Sequence, residues 1–366
     1  MDMNNITFDE DLDLDPQGEG WVKFNAGQMG YYTVLYPDEM WRRFARYLQH
    51  NPYENWTLSA ADRSGLLNDA FSLAASGKVS YTIPLEMLSY LEKERHLIPW
   101  GTALQSGTSY INNMLKRFPE YGAWRKYMDN ILSPTIARLG FKDEGSNSDR
   151  ILRSRILGYS CSLQNADTLE HVIHMFRGWL DNGTVVPGNL RAMVYQFGMR
   201  FGGTDDDWYL IWNKYLTESS PQEKNLLLNA LTDVRELHLI AKLLEYAKLE
   251  IGIRRQDFFT VLRSVGSNSA ALSMLWDWTR ENYQDFIDRF TIEDSYFGTM
   301  LYYIVRNYNT ELQLQEVKDF FAKYPEAGTG ERYRNLSLES IERNIYWMKT
   351  YRPVIGDYLK RKLSTI

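Results

Sequence analysis

The sequence predicts an all-α fold, an irregular HEAT- or armadillo-like α-solenoid of antiparallel helix pairs with a short N-terminal β remnant. Three observations predict it. Helix start and stop signals recur from Pro37 onward. No strand pattern interrupts residues 38–366. Connections are short and their spacing uneven, which suggests stacked hairpins of helices and not an array of identical units. About sixteen helical segments of roughly 10–20 residues are expected on this reading.

The elements follow in order. Residues 1–20 form an acidic, loosely ordered leader, with Asp9, Glu10, Asp11, Asp13 and Asp15 beside Pro16, Gly18 and Gly20. Residues 21–36 carry the β remnant. Trp21–Phe24 alternates apolar positions, and Tyr31–Tyr36 is aromatic and β-branched. Asn25–Gly30 makes the turn between them, and two strands alone are not a stable sheet. The helical domain spans 37–366. Pro37-Asp38 opens a helix through Trp41, Phe44 and Leu48. Ser59 caps the next, with Asp62 three residues on, an apolar face of Leu66, Leu67, Ala70, Phe71 and Leu73, and Gly77 as its stop. Ser220-Pro221-Gln222-Glu223 reads as a capping box with Pro at the first helical position, before a pattern that continues through Val234 to Leu244. Thr310-x-x-Gln313 repeats the box before Leu314, Val317, Phe320 and Phe321.

Composition narrows the function. At 366 residues, with 44% hydrophobic and 24% charged residues, the chain is an ordinary folded protein. The net charge is −6 and no block of five Lys/Arg occurs, so a nucleic-acid footprint is not supported. No run of 18 apolar residues spans a bilayer, and residues 1–15 do not resemble a secretory signal. The 11 Trp and 25 Tyr suit helix–helix seams and also peptide-facing surfaces. Cys161, the single cysteine, sits in an apolar stretch and reads as a buried structural thiol. Sequons at Asn5, Asn55, Asn182 and Asn335 are compatible with secretion and do not show it.

No catalytic constellation is visible. There is no HExxH, no phosphate-binding or dinucleotide-binding glycine loop, and no G-x-S-x-G elbow. His171 and His174, one helical turn apart after Glu170, are a weak candidate for a surface metal site; the other reading is a solvated helix edge. Asp205-Asp206-Asp207 is read as the charged first turn of a helix rather than a metal cluster. Catalytic, cofactor and metal residues are therefore expected to be absent from this chain.

The segment Trp21, Lys23, Asn25, Gly30, Tyr31, Tyr32, Val34, Tyr36, Trp41 resembles the pattern at the end of the β-sandwich in zinc aminopeptidases of the aminopeptidase N family. Asp62-Arg63-x-x-Leu66-x-x-Asp69-Ala70-Phe71 resembles the start of that family's helical C-terminal domain. Further matches are Pro99-Trp100-x-x-Ala103-Leu104, Asn189-Leu190-Arg191, Trp208 with Trp212, and Glu342-x-Asn344-Ile345-x-Trp347. The resemblance covers roughly residues 20–360 and is closest to aminopeptidase N and the endoplasmic-reticulum aminopeptidases.

The resemblance implies a bowl of antiparallel helices that caps a zinc-containing catalytic domain, shapes the peptide cavity, and contributes no catalytic group. The zinc would belong to the parent's catalytic domain. The partners implied are that domain and peptides, and a homodimer is compatible with it. Some members grip the peptide C-terminus through a helix-joining loop, whose place here falls near Ser267. Arg254, Arg255, Arg263, Ser267 and Tyr110 are thus the peptide-facing candidates, with solvation as the alternative for each arginine. Vertebrate-type members hold two disulfides in this domain. Cys161 matches one cysteine but faces Thr168, and the second pair is replaced by Gln196 and Asp233. The competing function is a stand-alone α-solenoid that binds peptides or proteins without catalysis.

Overall fold

The computed structural model describes residues 20–364. The expected acidic leader therefore lies outside the described residues, apart from Gly20. The chain divides into two compact units, residues 1–109 and 110–366.

The first unit holds α1 (Asp38–His50), α2 (Ala60–Ala75), α3 (Thr82–Leu88) and α4 (Leu97–Ala103). A π-helical stretch, Leu104–Thr108, follows α4 and leads into α5 (Ser109–Leu115). Trp41, Phe44 and Leu48 of α1 are fully buried, as their 3–4 spacing requires. At α2 the capping box forms: Ser59 accepts the Asp62 N–H and the Asp62 carboxylate accepts the Ser59 N–H. Gly77 ends that helix region at φ +73°, a conformation that side chains with a Cβ resist.

The two expected N-terminal strands do not form; no strand occurs among the described residues. Residues 21–36 instead lie against α2 as an irregular strap. Each backbone group that would join a ladder needs a neighbouring strand. Here side chains supply the bonds. The Val34 N–H donates to Asp69 Oδ2 at 3.1 Å, and the Gly27 N–H to Asp62 Oδ1 at 2.7 Å. Lys23 pairs with Asp62 at 3.0 Å. The expected turn is present, closed by Asn25: its amide donates to the Gly30 carbonyl and accepts the Gly30 N–H, both at 2.8 Å. The strap lies so close to α2 that a Cβ on Gly65 would meet the Gln28 side chain at 1.6 Å.

The second unit contains α6 (Tyr121–Leu139), α7 (Asn147–Ser162), α8 (Ala166–Asn182), α9 (Gly188–Gly202), α10 (Asp205–Thr217), α11 (Pro221–Thr232), α12 (Leu237–Lys248), α13 (Phe258–Val265), α14 (Leu272–Phe290), α15 (Ser295–Val305), α16 (Glu311–Lys323), α17 (Glu331–Thr350) and α18 (Arg352–Ser364). The helices outnumber the sixteen expected because short ones such as α3 and α13 were below the pattern's reach. The pattern read as continuous from Ser220 to Leu244 is two helices, broken at Asp233–Glu236.

Within this unit α7, α9, α11, α13, α15 and α17 each pack on the next, and α8, α10, α12, α14 and α16 pair with members of that row. α18 packs on both α17 and α6. A continuous apolar core runs through it, with Trp208 and Phe258 wholly buried. Cys161 is buried, and burial pushes its thiol pKa up to about 12. No disulfide partner faces it: the Thr168 hydroxyl lies 2.9 Å from that of Ser160. Gln196 donates to Asp233 at 3.0 Å, so a hydrogen bond stands where the resemblance places a second disulfide.

A basic cavity as the candidate functional site

A cavity of about 300 Å³ lies in the second unit. It opens between α5, the α13–α14 loop, the α15–α16 loop and α17. Four cations line it: Lys116, Arg117, Arg306 and Arg343. No Asp or Glu is among its lining residues. Among the described residues none of the four forms a salt bridge. The acid whose charge reaches Lys116, Asp233, already accepts from Arg200 and Gln196.

The local sequence explains how these groups are held. Asn344 is buried, and its amide donates to the carbonyls of Arg306 (2.9 Å) and Tyr308 (2.8 Å). It also accepts the Tyr110 hydroxyl at 2.9 Å. One residue of α17 thus fixes α5 and the loop that carries Arg306. The Thr310 cap rigidifies the far side of that loop: Thr310 accepts the Gln313 N–H. The Gln313 side chain in turn accepts from the Asn309 N–H and the Thr310 hydroxyl. Asn268 does the same for the α11–α12 turn, donating to the carbonyls of Thr232 and Val234. The Arg117 guanidinium donates to the Ser269 carbonyl. Burial, and then the charge of Arg200, pull the Lys116 ammonium pKa below the usual lysine value, with Asp233 opposing. Burial pushes the Tyr110 phenol up to about 12 against the nearby Arg343, so it is a neutral donor.

Two of the five sequence candidates, Tyr110 and Ser267, line this cavity. The three arginines do not. Arg254 is paired with Asp257 at 2.7 Å, Arg255 donates to the Arg289 carbonyl and covers Phe290, and Arg263 stacks 4.1 Å from the Tyr303 ring centre. The cavity cations were not found from sequence, because residues 116, 117, 306 and 343 are far apart in the chain and meet only around the folded cavity.

The other chemical candidates resolve into structure. Asp207 completes a capping box with Thr204 and pairs with Arg177. His171 stacks on Phe141, 3.8 Å between ring centres. No group of three or more His, Cys, Asp or Glu arranged for a metal occurs among the described residues. No described helix is long and apolar enough to cross a membrane.

Sequence comparison agrees with this architecture. The model of the ERAP1-like C-terminal domain matches residues 21–343. The chain belongs to that family. It is 36% identical to the glutamyl aminopeptidase of Rattus norvegicus over 95% of its length, and 35% identical to that of Homo sapiens over 96%. It is 28% identical to the aminopeptidase N of Homo sapiens over 92% of its length. In each case the chain spans only 36% of the relative. It corresponds to the C-terminal domain of these aminopeptidases.

Proposed function

We propose that the chain is the non-catalytic C-terminal domain of a zinc aminopeptidase, where it caps the catalytic domain and shapes the cavity that admits peptides. The carrying observation is the agreement of family and fold: an all-helical domain matched to the C-terminal third of two kinds of aminopeptidase. The stacked rows of helices in residues 110–366 support the solenoid and the bowl that the resemblance implies. Zinc would be held by the catalytic domain of the parent and not by this chain.

The docking face is supported by the strap. Phe24, Met29, Tyr31, Tyr32 and Leu35 are all exposed, Met29 at 90% and Tyr31 fully. Five large apolar side chains within twelve residues of sequence are a costly surface to leave in water. Their place in the segment that resembles the end of a β-sandwich suits contact with the rest of that sandwich.

The test is association in trans. The N-terminal two-thirds of a glutamyl aminopeptidase, bearing its sandwich and zinc domain, is mixed with this chain and analysed by sedimentation. The reading expects a one-to-one complex that Tyr31→Ser with Met29→Ser weakens. Failure of the wild-type chain to associate would overturn it.

A further inference from the structure

We propose that Lys116 is a covalent modification site: its side-chain amine condenses reversibly with a small aldehyde that carries an anionic group, forming an imine inside the cavity. The inference goes beyond the proposed function and holds whether or not the chain docks on a catalytic half.

The setting of the amine carries the argument. Lys116 directly follows α5, is half-buried, and lines the space of about 300 Å³. Its ammonium has no hydrogen-bond or ion-pair partner among the described residues. Three other half-buried lysines are engaged: Lys23 by Asp62, Lys248 by Asn282, and Lys224 over the Tyr215 ring. Lys78, Lys126, Lys142 and Lys360 are exposed, where water solvates the charge. Lys116 is therefore reachable from the cavity, yet neither paired nor fully hydrated. Burial, and then the charge of Arg200, hold its ammonium below the usual lysine value, with Asp233 opposing. A lysine that is desolvated, or set beside another cation, is the activated form of this nucleophile. Each unit of lowering raises the neutral fraction near pH 7 about tenfold.

The step balances without an oxidant or reductant. The Nζ lone pair forms a bond to the carbonyl carbon, and the carbonyl oxygen takes up a proton to give a carbinolamine. That oxygen then leaves as water while the nitrogen sheds its protons, and a C=N bond remains. One amine and one aldehyde give one imine and one water.

The cavity selects the aldehyde. Arg306 and the exposed Arg117 and Arg343 line the same space. An anionic group on the reagent is drawn to them, and its carbonyl is then held beside Nζ rather than met by chance. The bonds of Asn344 to Tyr110 and to the carbonyls of Arg306 and Tyr308 set this wall before any reagent arrives. The volume lies at the lower end for ligand pockets, which limits the reagent to a small molecule.

Imine trapping on the full chain tests this. The chain is incubated at neutral pH with pyridoxal phosphate, or with pyridoxal as the counterpart that lacks the phosphate. It is then reduced with borohydride, digested and mapped by mass spectrometry. With pyridoxal phosphate, Lys116 is expected to carry at least about tenfold more label than the median lysine. With pyridoxal that preference should fall severalfold. Excess inorganic phosphate should lower the label at Lys116 and leave the exposed lysines unchanged. Arg306→Gln, with its circular-dichroism melt unchanged, should lower it too. Label spread evenly over the lysines would overturn the proposal. So would an equal preference for Lys116 with pyridoxal, or a label at Lys116 that inorganic phosphate and Arg306→Gln both leave intact.

Discussion

The strap of residues 21–36 and the cavity of residues 110–366 treat charge in opposite ways. In the strap every cation has an acid. Lys23 meets Asp62, and beside it the buried Arg63 makes a two-pronged bond to Glu94 at 2.6 and 2.9 Å. Glu94 also accepts the N–H groups of Arg95 and His96, and Arg63 donates to the Leu58 carbonyl. In the cavity the Arg117 guanidinium donates to the Ser269 carbonyl and Arg306 lies over the Tyr303 ring, and no lining carboxylate neutralises the four cations. A matched set of charges fixes a fold, whereas an unmatched set in a preorganised wall is available to a ligand.

That contrast can be broken at several points. The largest effect is expected at Arg63. Arg63→Met leaves Glu94 buried without its cation and should destabilise the first unit by about 3–5 kcal/mol in denaturant unfolding. A loss near zero would mean that the pair is solvated and the contrast false. Asn344→Ala should come next. It strands two carbonyls and the Tyr110 hydroxyl, at about 1–3 kcal/mol. Ser59→Ala removes the α2 cap and should cost about 1 kcal/mol. Arg343→Gln, at an exposed side chain that makes no ion pair, should change stability by less than about 0.5 kcal/mol, which separates the unmatched set from the matched one.

Acid titration sharpens the same comparison. Burial disfavours the ionised Asp62, but hydrogen bonds from Ser59, Lys23 and the Gly27 N–H outweigh it and hold the carboxyl below its usual value. The folded state therefore binds its proton later than the unfolded state does. Its stabilising contribution is full above the ordinary aspartate range and is lost as pH falls below about 4, through the lowered folded value. Thermal melts from neutral to acid pH should show that loss in the wild type and less of it in Asp62→Asn.

Much of the fold was legible in the sequence. Ser59, Ser220 and Thr310 all accept the N–H three residues on, as their positions at helix starts require. Glu223 does not return the bond to Ser220 because Arg191 and Tyr195 occupy its carboxylate, a tertiary contact that no local pattern contains. The strands failed for a related reason. Aromatic and β-branched residues at 31–36 favour extended backbone, but a ladder also needs a neighbouring strand, and α2 supplies carboxylates instead. Of the site, Ser267 and Tyr110 came from the family pattern. Arg306, at the end of α15, and Arg343, within α17, carried no local signal, since a lone arginine on a helix is most often solvated.

Hydrogen exchange of the full chain, with and without the N-terminal two-thirds of a glutamyl aminopeptidase, tests the account most directly. New protection of the backbone at residues 21–36, with the buried helices of residues 110–366 unchanged, is the predicted result. No change at residues 21–36 would contradict the docking role of the strap.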